Sequence, residues 1–564
     1  MKSLLKGRSA WATAGLLAAL AVTGVALERA PAQAQGAASC PTGGLSLSPG
    51  FCAAIIADNL GHVRHLAQAP DGTIYANTWS GMYFPNAPAP AGGFLLAIKP
   101  KGDGQAEVAR FGLTPADGAA GGSGVAVYKG HVYFEEKDKI LRFALPAGSV
   151  PTGKSPEVVV AGMPLGGNHP MHPFVIDPKG QIFVDMGSAT NACQGEAGDR
   201  KAGVMGQSPC TELETRGGTW KYDADKLNQA FSAKERYATG IRNGEGFAFD
   251  GAGRLYVTQH GRDQLPALWP KLYPDLKHAT ELPSEELLQL TSGGDYGWPM
   301  CYHDPFQKKL VLAPEYGGDG GKATGVCAQK TEPVAAFPAH WAPNDLAFYT
   351  GKAFPAPFQG GAFIAFHGSW NRAPEPQAGF NVVFQPITNG KASGDYIVFA
   401  DGFTGAKLRP TGLLAGADGA LYVSDDEKGR IWRITYHGPA GLKTLTAAPA
   451  PKAAAGAGAG ADLPVPPGAT AAQVASGNRL FHAQTCTGCH GADAKGSPVG
   501  PDLTTGKYLS GDGSLASIQK IIQDGVAMPK QYRQPMPAMG GAQLSPDQLR
   551  DVAAYVWAVG HPKT

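Results

Sequence analysis

The sequence predicts an all-β body built as a six-bladed propeller, followed by a small all-α domain. Three observations lead there. A Gly-containing turn followed by alternating apolar residues recurs six times, as Asp71-Gly-Thr-Ile-Tyr-Ala, Lys129-Gly-His-Val-Tyr-Phe, Lys179-Gly-Gln-Ile-Phe-Val, Ala252-Gly-Arg-Leu-Tyr-Val, Gly360-Gly-Ala-Phe-Ile-Ala and Asp418-Gly-Ala-Leu-Tyr-Val. Repeats of this kind form small sheets that bury their faces only against neighbours, which makes a ring of blades. After Tyr436 the composition shifts to Ala, Gly and Pro, and from Ala471 onward helical patterns take over. A β-sandwich with a second β domain is the competing arrangement, but it gives no reason for one signature to recur six times.

At 564 residues the chain can bury more than one core. Its 78 glycines and 46 prolines suit a turn-rich β body. Charged residues are 17% of the chain and the net charge is +2, so there is no basic face for nucleic acid.

The elements follow in order. Lys2, Lys6 and Arg8 precede an apolar stretch from about Ala10 to Leu27, and Ala32-Gln33-Ala34 offers a small-x-small cleavage site. Residues 1–34 are therefore expected to be a signal peptide, cleaved after Ala34, that directs the chain to the periplasm. An uncleaved anchor is the alternative, since about 18 apolar residues nearly span a bilayer; Gly15, Gly24 and the alanine-rich character weigh against it. The propeller is assigned to residues 35–437, and its uneven repeat intervals imply long loops in the fourth and fifth blades.

Six cysteines, Cys40, Cys52, Cys193, Cys210, Cys301 and Cys327, are an even number in an exported chain, where disulfides persist. Six cysteines allow 15 pairings. Joining sequence neighbours is simplest because each bridge then closes a short loop. Residues 438–470 cannot build a core and read as a linker, with a flexible reach on the order of 30 Å. Residues 471–564 form the final domain.

That domain contains Cys486-Thr-Gly-Cys489-His490. In C-x-x-C-H the two thiols add to haem vinyl groups and the adjacent imidazole coordinates the iron, so this is a cytochrome c domain with one covalent haem. A zinc half-site would require a second ligand pair downstream, and there is none. A helix from about Ala472 to Ala483 leads into the motif. A closing helix begins at Ser545-Pro546-Asp547-Gln548, a capping box with proline at the first helical position, and carries Leu549, Val552, Ala553, Val556 and Trp557 on one face. The sixth iron ligand is expected to be a methionine. Met536-Pro537, shortly before the capped helix, resembles the axial Met-Pro arrangement of class I cytochromes c; Met528-Pro529 is the runner-up, and Met539 also competes.

Four strings in the propeller carry groups suited to chemistry. They are Asn168-His169 ahead of Ile176-Asp-Pro-Lys-Gly180; Gly240-Ile-Arg242-Asn243-Gly-Glu245-Gly-Phe-Ala-Phe; Gln259-His-Gly261-Arg262-Asp263 with Gly293-Gly-Asp-Tyr-Gly-Trp-Pro299; and Lys407-Leu-Arg409-Pro410. Over most of residues 45–435 the chain resembles the quinoprotein sugar dehydrogenases, the PQQ-dependent soluble glucose dehydrogenase and L-sorbosone dehydrogenase family. These bind pyrroloquinoline quinone (PQQ) and calcium on top of a six-bladed propeller.

The resemblance implies roles residue by residue. His169 falls where the family has its catalytic histidine, a neutral imidazole that takes a hydroxyl proton while hydride leaves the same carbon; His172 does not fit that position. Arg242 would stabilise the negative charge that grows on the quinone, and Asn243 would hydrogen-bond it. Glu245 departs from the amide of the glucose enzymes. The backbone carbonyls of Gly261 and Arg262 fall on the calcium positions, which suit a hard cation. Arg409 matches one of two arginines that grip the cofactor carboxylates, while the other falls on Thr411. Arg372, in His367-Gly-Ser-Trp-Asn-Arg372, corresponds to the family's cofactor lysine, and this string is typical of the sorbosone branch.

The implied activity is that of a periplasmic quinohaemoprotein dehydrogenase acting on a sugar or aldehyde. Electrons would pass from PQQ to haem c and on to a downstream respiratory acceptor, with peripheral membrane association as a further partner. Two rival classes stand beside it. A calcium-dependent propeller lactonase gives no reason for a haem, and a non-catalytic electron carrier gives none for His169 and Arg242.

Overall fold

A computed structural model describes residues 40–80, 91–112, 120–146, 150–151, 155–372, 375, 377–404, 408–439, 441–449, 463–483, 486–491, 493–496, 500–526, 528–532, 536–541 and 544–561. The expected signal peptide and its cleavage site, the middle of the linker and Lys407 lie outside these residues.

The body is a six-bladed propeller of antiparallel sheets. Each blade opens with an inner strand and continues outward. The inner strands are, in order, Val63–Gln68, Val125–Tyr128, Phe174–Ile176, Gly244–Phe249, Pro343–Phe348 and Pro410–Ala415, and consecutive ones lie beside each other around the axis until the last meets the first. The sixth blade takes its outermost strand, Phe51–Ala57, from the start of the body, where it pairs with Ile431–Tyr436. This closure joins the two ends of the propeller, whose blades keep only short, protected sheet edges.

The six repeated turns sit between the first and second strands of the blades. Their glycines Gly72, Gly130, Gly180, Gly253, Gly360 and Gly419 all have φ between 72° and 88°, a region costly for any residue with a Cβ. That explains why the signature contains glycine each time.

Apolar residues alternate along the strands and pack between blades. The aromatic cluster between blades five and six gathers Phe51, Phe363, Phe384, Phe399 and Trp432. Phe363 and Phe399 meet edge to face at 4.8 Å, as do Phe51 and Phe399, and such pairs add about 1 kcal/mol each beyond area burial.

The long excursions lie in the third and fourth blades, at residues 187–217, 260–284 and 291–334, and not in the fourth and fifth. The wide interval between the fourth and fifth turns is filled by insertions within the fourth blade. Cys193–Cys210 and Cys301–Cys327 staple two of these excursions, as neighbour pairing anticipates, and Cys40 and Cys52 are also disulfide-bonded.

The C-terminal domain contains the helices Ala471–Ala483, Cys486–His490, Leu515–Asp524 and Pro546–Gly560. The expected capping box is formed, with both Ser545 and Gln548 side chains bonded back to the helix start. Leu549, Val552, Ala553 and Val556 are buried, while Trp557 lies at the margin and stacks on His561 at 4.0 Å. Gly477 lets the first and last helices cross closely, since a Cβ there would strike the Asp551 carbonyl. Among the described residues no helix is long and apolar enough to cross a membrane.

Candidate active site and haem pocket

In an antiparallel pair, the start of the first strand and the end of the second lie at one end of the sheet. This rule collects the candidate residues on one face of the propeller. His169 precedes the inner strand of blade three, Arg242 and Asn243 that of blade four, and Arg409 that of blade six. His260 to Asp263 and Trp370 to Arg372 follow second strands. The Arg242 turn requires Gly240, whose φ is 77° and whose Cβ would sit 2.5 Å from the Gly297 nitrogen.

His169 is seated against Gly187, where a Cβ would meet its own Cβ at 2.5 Å. Its Nδ1 lies 3.0 Å from both the carbonyl and the hydroxyl oxygen of Ser188. A carbonyl only accepts, so Nδ1 carries the proton and Nε2 keeps its lone pair. Burial, helped by the charges of Arg242 and His260, holds the His169 pKa well below the usual histidine value. His172 differs: both of its ring nitrogens face carbonyls, of Lys137 and Pro164, at 3.1 and 3.0 Å. Those contacts lock it into the loop.

Arg242 is buried and donates from Nε to the Asn191 carbonyl (3.2 Å), from Nη1 to the Gly261 carbonyl (2.8 Å), and from Nη2 to Asn191 Oδ1 (3.0 Å) and Asp263 Oδ2 (2.8 Å). A guanidinium has five N–H donors, and these bonds use four. Its backbone is fixed by Gln259, whose side chain accepts from Arg242 N (2.8 Å) and donates to Glu286 (3.0 Å). Asp263 is the hub, accepting also from Arg200 (2.7 Å) and from Asn371 (2.8 Å). Burial raises its pKa, but Arg242 and Arg200 more than offset that and leave it well below the ordinary carboxylate range.

Asp263, Asn191, Arg200 and Asn371 carry no role in the sequence reading. Asp263 and Asn371 stand inside recognisable motifs, but only the fold brings them together with Asn191 and Arg200, which come from a separate excursion.

Asn243 is buried beside Gly187, with its Oδ1 3.3 Å from the Cβ position there. Glu245 does not pair with Arg242. It faces Arg64 at 3.4 Å in the central channel, where Arg64 also meets Asp426 at 2.8 Å. Arg372 is gripped by Glu281 and donates to the Ala339 carbonyl (2.9 Å). Arg409 is fully buried, donates to the carbonyls of His367 (2.9 Å) and Gly368 (2.7 Å), and packs over Phe380. In place of an open carboxylate grip, these bonds make Arg409 the buttress of the His367-Gly368 turn.

The donor set suits an anionic planar acceptor. The remaining Arg242 donor and the Asn243 amide lie beside a neutral imidazole, Arg200 joins them through Asp263, and Asn371 Oδ1 and Arg262 Nε are buried without a partner. Of the two backbone carbonyls expected to hold calcium, that of Gly261 accepts from the Arg242 guanidinium at 2.8 Å, and the Arg262 side chain forms a buried ion pair with Glu315. Among the described residues no three His, Cys, Asp or Glu side chains gather as a metal site.

In the C-terminal domain burial pushes the Cys486 and Cys489 thiols up to about 11. The His490 Nδ1 meets the Pro501 carbonyl at 3.0 Å, which leaves Nε2 for iron. A cavity of about 530 Å³, within the range that holds a cofactor, is lined by these three residues together with Met536 and Met539. Met528 is 89% exposed and has turned away from the pocket. The same cavity has a second wall made by the propeller, including His340, Trp370 and Asn371.

Residues 116–437 match the TrAA12-like family, and residues 474–560 match the cytochrome c family. The pyrroloquinoline quinone-dependent pyranose dehydrogenase of Coprinopsis cinerea is 29% identical over 231 residues, 35% of this chain and 30% of that protein. The CcoP subunit of the cbb3-type cytochrome c oxidase of Rubrivivax gelatinosus is 40% identical over 83 residues, 15% of this chain and 25% of that protein. The chain spans about half or less of the length of the curated relatives it matches. The holo form of the Coprinopsis cinerea pyranose dehydrogenase PQQ domain superposes with a TM-score of 0.54 at 18% identity, covering 70% of this chain and 98% of that one, a likeness of fold. With a six-bladed body of this shape and a family match over more than half of its residues, the chain belongs to the TrAA12-like family and carries a cytochrome c domain after its propeller.

Proposed function

We propose that the chain is an exported, periplasmic quinohaemoprotein dehydrogenase that oxidises a sugar or aldehyde at the propeller face and delivers the electrons to its own haem. One observation carries this reading: a neutral, oriented His169 lies under the influence of the fixed Arg242 cation, on the propeller face that also walls the haem pocket. PQQ, when bound, supplies a two-electron acceptor, and haem c supplies a one-electron carrier.

The chain's own residues divide the remaining work. His169 Nε2 takes the proton of the substrate hydroxyl, and its low basicity lets it return that proton readily to solvent. Arg242, held in place by Asn191, Gly261 and Asp263, directs its last N–H at developing negative charge. Asn243 and Arg200 bind the anionic cofactor, and Arg372 contributes from the blade-five loop. Arg409 keeps that loop in register. Cys486 and Cys489 hold the haem, His490 and Met536 ligate its iron, and a respiratory acceptor beyond the chain takes the electrons. The functional division is a signal at 1–34, the dehydrogenase at 35–437, a tether at 438–470 and the haem domain at 471–564, with any membrane association peripheral.

The test adds PQQ, with and without calcium, to the purified haem-loaded protein together with a panel of aldoses and aldehydes, and follows the haem absorbance. Reduction that requires both quinone and substrate is expected; none across a broad panel would sink the proposal. In His169→Ala this reduction should be lost while dithionite still reduces the haem, and normal turnover in that variant would remove His169 from the mechanism.

A further inference from the structure

We infer that Trp370 couples the propeller site to the haem: it holds the haem-bearing face of the C-terminal domain against the propeller and fills the space between the Asp263 hub and Cys489. This inference rests on the dehydrogenase reading above.

Three observations converge on Trp370. The indole and Cys489 both pack onto the aromatic core of blades five and six, although Cys489 belongs to the other domain. Trp370 lines the cavity that contains Cys486, Cys489, His490 and Met536. On its other side, the Arg200 guanidinium lies 5.9 Å from the Trp370 ring centre, and Arg200 bonds Asp263 at 2.7 Å. The next residue, Asn371, bonds the same carboxylate at 2.8 Å, and Asp263 holds Arg242 at 2.8 Å. Trp370 thus borders the cavity that contains the haem attachment and, through Arg200 and the neighbouring Asn371, the network that fixes Arg242. Pro266, Ala267, Pro270 and Leu276 continue the apolar rim of the propeller wall around it.

Oxidation of one substrate releases two electrons and two protons. The haem, when bound, would supply a carrier that takes these electrons one at a time and passes each to the downstream acceptor, while the protons leave to solvent. Each passage is a tunnelling step, whose rate falls steeply with distance and with empty or water-filled space along the way. The indole serves as packed matter in that gap and is not itself oxidised, because a tryptophan radical lies far above a haem in potential. A flat, rigid ring with little conformational entropy to lose is well suited to fix an interface.

The experiment uses the full haem-loaded chain and compares wild type with Trp370→Ala and Trp370→Phe. With quinone and an oxidised substrate present, substrate-driven haem reduction is measured alongside reduction of a small diffusible dye that collects electrons at the propeller. In Trp370→Ala the ratio of haem to dye reduction should fall about tenfold to a hundredfold, the scale on which small misplacements act, and Trp370→Phe should restore most of it. A second readout needs no quinone. Loss of the indole admits water to the haem edge, so the haem midpoint potential of the quinone-free protein should drop in Trp370→Ala.

An unchanged ratio with an unchanged potential overturns the inference. So does parallel loss of dye and haem reduction, which would make Trp370 part of the substrate site. If wild type reduces neither haem nor dye, the dehydrogenase reading fails, while the potential still judges the contact between Trp370 and the haem domain.

Discussion

Asp263→Asn is nearly isosteric and removes the one charge on which two guanidiniums converge, at 2.7 Å from Arg200 and 2.8 Å from Arg242. The two arginines respond differently. The Arg200 side chain is 27% exposed and can turn to water, whereas Arg242 is 3% exposed and cannot. The cost therefore falls mainly on Arg242, which becomes a buried cation with only neutral oxygens, of Asn191, Gly261 and the new amide, for company. Breaking one partner of a buried pair costs about 3–5 kcal/mol, so a loss of about 3 kcal/mol is expected after Arg200 relaxes. The measurement is urea unfolding of the quinone-free protein at pH 7, followed by tryptophan fluorescence, with the midpoint moving at constant slope. Pairing the change with Arg242→Met removes both charges, and the double variant should be more stable than the sum of the single losses predicts by about 2 kcal/mol. If Asp263→Asn lies within about 0.5 kcal/mol of wild type, or if the double variant is strictly additive, Asp263 is not the electrostatic hub described here.

Two further outcomes follow from other parts of the molecule. Met536→Ala should change the oxidised haem spectrum in the near infrared, while Met528→Ala, at an exposed position, should leave it intact; the reverse pattern would overturn the ligand assignment. Glu286, driven up to about 8 by burial, keeps its proton in the folded chain while the unfolded chain loses it near the ordinary value of 4.5. Wild type should therefore lose stability relative to Glu286→Gln as pH rises from 4.5 to 8, by up to about 1.4 kcal/mol per pH unit, and the two should converge below pH 4.5. Parallel unfolding midpoints at pH 5 and pH 8 would refute the shift.

Much of this protein was legible along the chain because its constraints are local. Each repeated turn needs a glycine with positive φ, each strand alternates, and the haem requires two thiols and an imidazole at fixed spacing. Met536 is preferred over Met528 from the proline and capped helix that follow it, and Met536 and Met539 both line the cavity. Charge partners were not legible in the same way. The guanidiniums of Arg242, Arg372 and Arg409 look alike as letters, yet one is held by an aspartate hub, one by Glu281 and one by two backbone carbonyls. The carbonyls of Gly261 and Arg262 leave no trace in side-chain type, so the bond from Arg242 to the Gly261 oxygen was not legible either.

By itself the sequence determined the six blades and the cytochrome c domain, since these depend on backbone conformation and on residues close together along the chain. Only the tertiary structure decided that Asn191, Arg200, Asp263 and Asn371 meet around Arg242, and that Trp370 and Cys489 line one cavity. Those contacts join residues tens to more than a hundred positions apart, and they exist only because ring closure brings loops of different blades to one face.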